Sequence, residues 1–280
     1  MRDLICSYYT LAGVSPTAGG ASPRPFEDRV RAAAQAGYRG VGIHVRDYRA
    51  IREAGASDAD LKAILAHHGM RHVEVEFLLN WFADGEVGEA SRNDEELLYH
   101  MAEIFGARLM FTGGDLAPNN PMPFDELTAR FARLCARAAE RGVTVGVEPV
   151  PWTNIRDLDD AIRLIDGSGA KNAGLYLDVW HLYRSGLDYG RLRALDPKRV
   201  VGVQLDDAGA EIQGDIIQDT LDHRLLPGEG AADVAAFVAA LEGVKGPFAV
   251  EILSNVQRAR PLDEAARLSY RAARAVMGEA

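Results

Sequence analysis

Short apolar runs alternate along the chain with longer stretches in which apolar residues recur every three or four positions. Runs of the first kind predict buried strands, and the longer stretches predict amphipathic helices. The predicted strands cover residues 4–9, 40–44, 72–77, 109–112, 144–148, 174–178, 200–205 and 248–253. The predicted helices cover residues 26–36, 59–67, 94–105, 124–141, 158–166, 234–241 and 262–276. This alternation is typical of a parallel sheet.

Eight strand–helix units within 280 residues predict a closed barrel rather than an open, doubly wound sheet. The chain has neither a linker-like shift in composition nor a low-complexity tract. We therefore expect residues 1–280 to form one α/β domain, a single (β/α)8 TIM barrel. Loops rich in turn residues follow strands at residues 12–25 and 113–123. Such loops lie at the C-terminal face, where barrels of this kind build their sites.

The charge balance narrows the partners that we expect. A formal net charge of −10 would repel a nucleic acid, because no Lys/Arg-rich run gathers positive charge. The two cysteines, Cys6 and Cys135, indicate neither a disulfide framework nor a Cys-rich zinc site. No apolar run approaches the roughly 18 residues of a membrane span, and the first residues make a poor secretory signal. The expectation is a cytoplasmic protein with an acidic site that holds a cation.

Four predicted strands end in a polar residue that packing in a buried strand does not require. These residues are Glu148, Asp178, Gln204 and Glu251, on strands five to eight. In a closed barrel the strand ends form a ring, so the four side chains converge. Three nearby carboxylates repel one another unless a cation lies between them, and oxygen ligands favour Mn²⁺ or Mg²⁺. The alternative is that each residue is a surface or capping residue beyond its strand.

This pattern resembles the xylose isomerase-like barrel superfamily, which includes ketose 3-epimerases, inosose dehydratases, 3-dehydroshikimate dehydratases and endonuclease IV. The resemblance covers the strand–helix alternation of nearly the whole chain, and its specific motifs lie within residues 147–253. It implies that strand ends supply Glu, Asp, His and Glu to one Mn²⁺, Mg²⁺ or Co²⁺ ion. Glu148, Asp178 and Glu251 match this set, and Gln204 stands where the family usually has His.

Two further motifs support the resemblance and concern substrate binding. Asp178 and His181 match an Asp-x-x-His pattern, whose His usually contacts substrate. Arg224 begins Arg-Leu-Leu-Pro-Gly-Glu-Gly, which looks like a motif whose Arg holds substrate oxygens. His44 ends strand two and Trp152 follows strand five, so both are candidates for the substrate pocket. The alternatives are a neutral histidine at the rim and ordinary aromatic packing.

Two departures from the family pattern affect the expected chemistry. An amide oxygen at Gln204 is a harder ligand than imidazole and shifts the preference from Zn²⁺ toward Mn²⁺ or Mg²⁺. Gln in this place also resembles some dehydroshikimate dehydratases. The stretch between Gln204 and Arg224 is longer than in compact ketose epimerases, which predicts a substrate other than a simple ketose. Seven histidines and the acidic charge argue against the trinuclear zinc site of endonuclease IV.

The implied mechanism is proton transfer next to a carbonyl group. Chelation of the substrate carbonyl and a neighbouring hydroxyl by the metal stabilises an enediolate when the α-proton leaves. By resemblance to the epimerases, Glu148 and Glu251 stand on opposite faces of the substrate and act as bases as well as ligands. Epimerisation returns the proton to the other face, whereas dehydration expels a β-hydroxyl from the same intermediate.

We therefore expect a metal-dependent isomerase or epimerase, with a dehydratase (lyase) as the alternative. A non-catalytic binding barrel is a third reading, against which the joint presence of the acidic residues, His181 and Arg224 argues. The expected partner is a small sugar or keto-cyclitol, with neither nucleic acid nor membrane involved. A homo-oligomer is compatible with the sequence.

Overall fold

Eight parallel strands close into a barrel whose order around the ring is that of the sequence. The structure is a computed structural model and describes residues 1–19, 21–116 and 122–279. The loops predicted at 12–25 and 113–123 therefore lie partly outside the described residues. The strands are β1 (Leu4–Cys6), β2 (Gly40–His44), β3 (His72–Leu78), β4 (Leu109–Thr112), β5 (Thr144–Val147), β6 (Ala173–Asp178), β7 (Val200–Leu205) and β8 (Phe248–Val250). The predicted (β/α)8 barrel is confirmed.

Helices follow the strands and surround the barrel. They are α1 (Tyr8–Leu11), α2 (Phe26–Ala36), α3 (Val45–Glu53), α4 (Asp58–His67), α5 (Gly85–Phe105), α6 (Phe124–Glu140), α7 (Leu158–Ser168), α8 (Val179–Arg184), α9 (Tyr189–Arg193), α10 (Ile216–Asp222), α11 (Val234–Ala240), α12 (Asn255–Ala259) and α13 (Leu262–Val276). Local signals set several of their ends. Ser57 and Asp60 form a capping box at the start of α4, and Gly37 ends α2 with a φ of 117°. No helix in the described part of the chain combines the length and apolar character needed to cross a bilayer.

The main differences from the predicted elements lie at the C-terminal ends of strands. The first strand was predicted to reach residue 9, but it ends at Cys6 and α1 begins at Tyr8. The Tyr8 N–H donates to the Glu76 carboxylate rather than to a neighbouring strand. The Thr10 hydroxyl donates to the Val250 carbonyl, in place of a backbone group. Side-chain hydrogen bonds thus end the sheet earlier than hydrophobic patterning indicates.

The barrel interior below the strand ends contains a polar pair among packed rings. The Tyr176 hydroxyl donates to Glu74 Oε1 over 2.8 Å, and the Tyr176 ring stacks on Phe111 with centroids 3.9 Å apart. Gly202 makes room for this ring, because a Cβ at that position would collide with it. Glu74 Oε2 has no hydrogen-bond partner among the described residues. Burial therefore raises the pKa of Glu74 from its ordinary value of 4.5 to about 7.

Replacing Glu74 with glutamine should make stability less dependent on pH. Between about pH 4.5 and 7 the folded protein holds a proton on Glu74 that the unfolded chain has lost, so stability falls as the pH rises through this range. The amide removes this penalty and still accepts from Tyr176. We compare the free energy of unfolding of the variant with that of the wild type. This difference should favour the variant by on the order of 1–3 kcal/mol more above pH 7 than at pH 5. Urea unfolding of metal-free protein at both pH values measures this, and an equal difference at both would contradict it.

Candidate metal and substrate site

The four polar strand ends lie together at the C-terminal mouth of the barrel. Asp178 and Gln204 are direct partners in the register of β6 and β7. Glu148 and Glu251 stand one residue beyond β5 and β8, but their N–H groups still donate to the Thr112 and Leu205 carbonyls of the neighbouring strands, over 2.8 and 3.1 Å. All four residues are buried. The sheet therefore fixes their positions more rigidly than free loops would.

The side chains of this cluster approach within the range of a shared small ion. One end of the Gln204 amide lies 3.2 Å from Glu148 Oε1 and 3.2 Å from Asp178 Oδ2. With the nitrogen at that end, the amide donates to both carboxylates; with the oxygen there, three acceptor oxygens face one another. The second arrangement is the one that a cation would bridge. Donor atoms of Glu148, Asp178 and His181 also lie within 4.8 Å of one another.

Arg224 lies inside this cluster, although it was predicted only to contact the substrate. Its Nη1 donates to Asp178 Oδ2 and Asp206 Oδ2, both over 2.7 Å, and to Glu251 Oε2 over 3.3 Å. Its Nε donates to the Thr220 carbonyl over 3.1 Å. The guanidinium therefore joins Glu251 to the other acids. One positive charge faces four buried carboxylates, those of Glu148, Asp178, Asp206 and Glu251.

The pKa values of these groups reflect the excess of negative charge. Burial raises the pKa of Glu148 well above its ordinary value, and Asp178 raises it further. Burial also raises the pKa of Glu251 to about 7, although Arg224 acts in the opposite direction. Burial lowers the pKa of Arg224, but Asp178, Asp206 and Glu251 outweigh this effect and raise it. Without a further cation the cluster holds protons, and its oxygen donors fit a hard divalent ion in their place.

His181 is held by the first turn of α8. The Asp178 carboxylate accepts a hydrogen bond from the backbone N–H of His181 over 3.1 Å and so caps this helix. This contact explains the Asp-x-x-His spacing. Burial lowers the pKa of His181 to about 3, so the ring is neutral. Its Nε2 lies 3.2 Å from Arg224 Nη2, a donor, and its buried Nδ1 has no partner among the described residues. His181 is thus available as a hydrogen-bonding group beside the acids.

A cavity of about 140 Å³ opens beside this cluster. Predicted site residues that line it are His44, Glu148, Trp152, His181, Arg224 and Glu251. Burial lowers the pKa of His44 to about 3, and its Nδ1 accepts from the Arg46 N–H over 3.2 Å. The Trp152 ring lies 5.6 Å from that of His181, between centroids. Asp178 and Gln204 lie in the cluster without lining the cavity.

No role was predicted for Asp206 and Asp207, the two aspartates that follow strand β7. Asp206 accepts from Arg224 and from the Trp180 N–H, the latter over 3.1 Å. Asp207 accepts from four backbone N–H groups, those of Ala208, Gly228, Gly230 and Ala232, over 2.8–3.0 Å. This contact explains the Pro-Gly-x-Gly motif, because Gly228 has a φ of 87° and a Cβ at Gly230 would collide with Asp207. The sequence feature that could have revealed these roles is the pair of adjacent acids at the end of a buried strand.

The long stretch before Arg224 folds over the site. Its helix α10 places Thr220 and Leu221 in the cavity wall. Arg184 anchors this helix through Asp219, with Nη2 2.7 Å from Oδ2. Thr220 also contacts Arg224, since Arg224 Nη2 donates to its hydroxyl over 3.0 Å. This stretch therefore supplies part of the pocket wall directly.

Comparison with known proteins identifies the family to which this chain belongs. The sequence profile of the xylose isomerase-like TIM barrel family matches residues 30–272. The chain belongs to this family. The predicted family resemblance is therefore confirmed, and the acidic cluster occupies the C-terminal mouth of a xylose isomerase-like barrel.

Several enzymes of known activity are similar to this xylose isomerase-like chain. A 3-dehydroshikimate dehydratase of Pseudomonas aeruginosa is 25% identical over 242 residues, which cover 84% of this chain and 37% of that enzyme. An inosose isomerase of Bacillus velezensis is 28% identical over 105 residues, which cover 37% of this chain and 36% of that enzyme. The matches thus span little more than a third of each relative's length.

The fold has a counterpart among solved structures. The structure of an IOLI protein with a bound zinc atom superimposes with a TM-score of 0.86, at 18% identity, over 99% of both chains. At this identity the likeness concerns the fold.

Replacing Gln204 with histidine should change the choice of metal. Imidazole is a softer donor than an amide oxygen, so we expect the variant to keep binding one ion but to favour Zn²⁺ over Mn²⁺ more than the wild type does. A competition titration with both metals measures the ratio of the two affinities. An unchanged ratio would show that Gln204 does not bind the metal.

Replacing Arg224 with lysine should lower kcat/KM by about tenfold or more, because hydrogen bonds to charged groups contribute roughly 1.5–3 kcal/mol each. One ammonium group cannot reproduce the planar fork that reaches Asp178, Asp206 and Thr220 at once. The measurement is steady-state kinetics with equal metal loading of both proteins. Full activity of the lysine variant would contradict a role for this fork in turnover.

Proposed function

We propose that this chain is a divalent-metal-dependent isomerase or epimerase that moves a proton next to the carbonyl of a neutral keto sugar or keto-cyclitol. The observation that carries the proposal is the cluster of Glu148, Asp178, Gln204 and Glu251, which has a deficit of positive charge and of which Glu148 and Glu251 line one cavity. These four residues would hold the metal. Mn²⁺ is the ion we expect, with Mg²⁺ and Co²⁺ as alternatives.

The roles of the protein groups follow from their places around the cavity. A bound divalent ion would polarise the carbonyl and stabilise the negative charge of an enediolate. Glu251 accepts the α-proton, and Glu148 returns a proton from the other side. Arg224 and His181 hold substrate oxygens, while Trp152 covers an apolar face of the substrate. His44, neutral and bonded at Nδ1 to the backbone, offers its other nitrogen to the pocket.

The charges around the cavity favour a neutral substrate. Arg224 is the only arginine or lysine among the described residues that line it, and its guanidinium is already bonded to Asp178, Asp206 and Glu251. His44 and His181 are neutral because burial lowers their pKa values to about 3. A substrate carboxylate would therefore meet no unpaired cationic side chain in this pocket. A keto sugar or an inosose avoids this desolvation cost.

A dehydratase is the second candidate. The match to a 3-dehydroshikimate dehydratase over 84% of this chain favours it. Both reactions begin with the same proton removal, so Glu251 would serve as base in either. They differ in the next step, which is return of the proton in one case and loss of a β-hydroxyl in the other.

Incubation in D₂O separates these candidates. Mn²⁺-loaded protein is mixed with a panel of ketoses, an inosose and dehydroshikimate, and NMR follows each mixture. Deuterium uptake at the α-carbon with formation of an epimer or isomer supports the proposed function. Loss of water from dehydroshikimate would instead identify a dehydratase. If no compound exchanges and the purified protein binds no metal, the reading as a non-catalytic barrel replaces both.

A further inference from the structure

Glu76 is a buried carboxylic acid in the cavity wall for which neither metal binding nor proton transfer accounts. It lies on β3, is 1% exposed, and lines the cavity together with His44 and Glu251. The structure gives it no ion pair among the described residues. Burial of a carboxyl group without a cation is unfavourable, so its presence calls for a compensating interaction.

The fold holds Glu76 in place from the neighbouring strands. Its Oε1 accepts from the Tyr8 N–H over 3.0 Å, which is its one hydrogen bond within the described parts of the chain. On β2, Gly42 leaves the space that the carboxyl group fills, because a Cβ there would collide with Glu76 Oε1. One oxygen is thus used for positioning, and the other is left for a partner that enters the cavity.

Three other buried acids in this protein have a structural role that their partners make evident. Asp47 pairs with Arg29 over 2.5 Å, Glu95 with Arg137 over 2.7 Å, and Asp219 with Arg184 over 2.7 Å. Each of these carboxylates has a cation that offsets the cost of its burial. The acid at position 76 has none, although it is as deeply buried.

We propose that Glu76 binds a hydroxyl group of the substrate and thereby selects a polyhydroxylated, neutral ketone. A hydroxyl group can donate to a carboxylate or accept from a carboxylic acid, so this contact forms in either protonation state. A ligand carboxylate at the same place would meet repulsion from an ionised Glu76 and from Glu251. This inference rests on the proposed function, since it assumes that the cavity is the substrate pocket.

The experiment compares Glu76→Gln with Glu74→Gln. Both residues are buried on β3, two positions apart, but Glu74 does not line the cavity. Kinetics are measured with the active ketone and with its monodeoxy analogues. Calorimetry measures binding of the corresponding non-reacting polyol to Mn²⁺-loaded protein. A third variant, Glu76→Leu, removes hydrogen bonding altogether.

In Glu76→Gln we expect KM and the Kd for the polyol to rise about tenfold, because an amide is a weaker acceptor than a carboxylate and a weaker donor than a carboxylic acid. The preference of the wild type for its substrate over one monodeoxy analogue should fall by a similar factor. In Glu76→Leu that preference should disappear, and in Glu74→Gln all values should stay within about twofold of the wild type.

Two results would overturn the inference, and they are distinguishable. If the wild type is active and Glu76→Gln matches Glu74→Gln in KM, polyol binding and analogue preference, the assignment of Glu76 fails while the proposed function stands. If Mn²⁺-loaded wild type neither turns over any ketone nor binds any polyol, the proposed function fails, and the role of Glu76 fails with it. Should Glu76→Leu not fold, the glutamine pair still gives both outcomes.

Discussion

Replacing Glu251 with glutamine is expected to slow exchange of the substrate α-hydrogen with solvent by about 10²–10⁴-fold, the usual cost of losing a general base. Glutamine has nearly the same size and keeps one oxygen donor, so weakened metal binding should persist. It cannot accept a proton. The measurement is deuterium uptake by the substrate in D₂O with the variant loaded with Mn²⁺.

The control for this change is an exposed acid that does not line the cavity. Glu264, exposed on α13, can be replaced with glutamine and should leave exchange at the wild-type rate. Metal content of both variants is determined beforehand, so that loss of metal is not mistaken for loss of the base. Exchange at the wild-type rate in Glu251→Gln would assign proton removal to another residue, with Glu148 and His181 next in order.

Replacing Asp178 with asparagine is expected to weaken Mn²⁺ binding by at least about a hundredfold, since a partner outside the ligand sphere already contributes about 10–100-fold. The change keeps an acceptor for Arg224, whose Nη1 lies 2.7 Å from Asp178 Oδ2, but removes a negative charge from the cluster. Free Mn²⁺ measured by electron paramagnetic resonance during titration gives the affinity.

The activity of this variant should follow the fraction of the protein that has bound Mn²⁺. It should be absent at micromolar Mn²⁺ and partly restored at millimolar Mn²⁺. Asp196→Asn, at an exposed position, is the control and should bind Mn²⁺ like the wild type. An unchanged affinity in Asp178→Asn would remove Asp178 from the ligand set. The remaining donors would then be Glu148, Gln204, Glu251 and the neighbouring His181.

The barrel and the ring of strand-end residues could be predicted because both depend on local pattern and closure. Once eight parallel strands close, residues at corresponding ends must face one point, whatever the loops do. Asp178 and Gln204, adjacent in register, illustrate this. The prediction needed only approximate strand ends, because Glu148 and Glu251 lie one residue beyond β5 and β8 and still join the ring.

The path of the chain beyond the strands could not be predicted in the same way. Arg224 follows Gln204 by twenty residues, and its entry into the acidic cluster depends on contacts with Asp206 and Thr220 that no local pattern encodes. The role of Asp207 also depends on backbone groups more than twenty residues away. Glu76 is distinguished from other buried acids only in three dimensions, where it lines the cavity and has no cationic partner among the described residues.

The segment before Arg224 is attached so that the shape of the pocket wall can change while the position of Arg224 stays the same. Asp207 and Leu225 exchange backbone hydrogen bonds of 3.0 and 2.9 Å, and the Arg224 N–H donates to the Leu253 carbonyl over 3.1 Å. Residues 209–222 therefore form an excursion whose two ends are fastened to the barrel. Thr220 must stay, since its carbonyl and hydroxyl accept hydrogen bonds from Arg224, but Leu221 and residues 209–218 can vary without displacing the arginine. A designer could exchange these residues together, altering which molecules fit while leaving the acidic cluster in place.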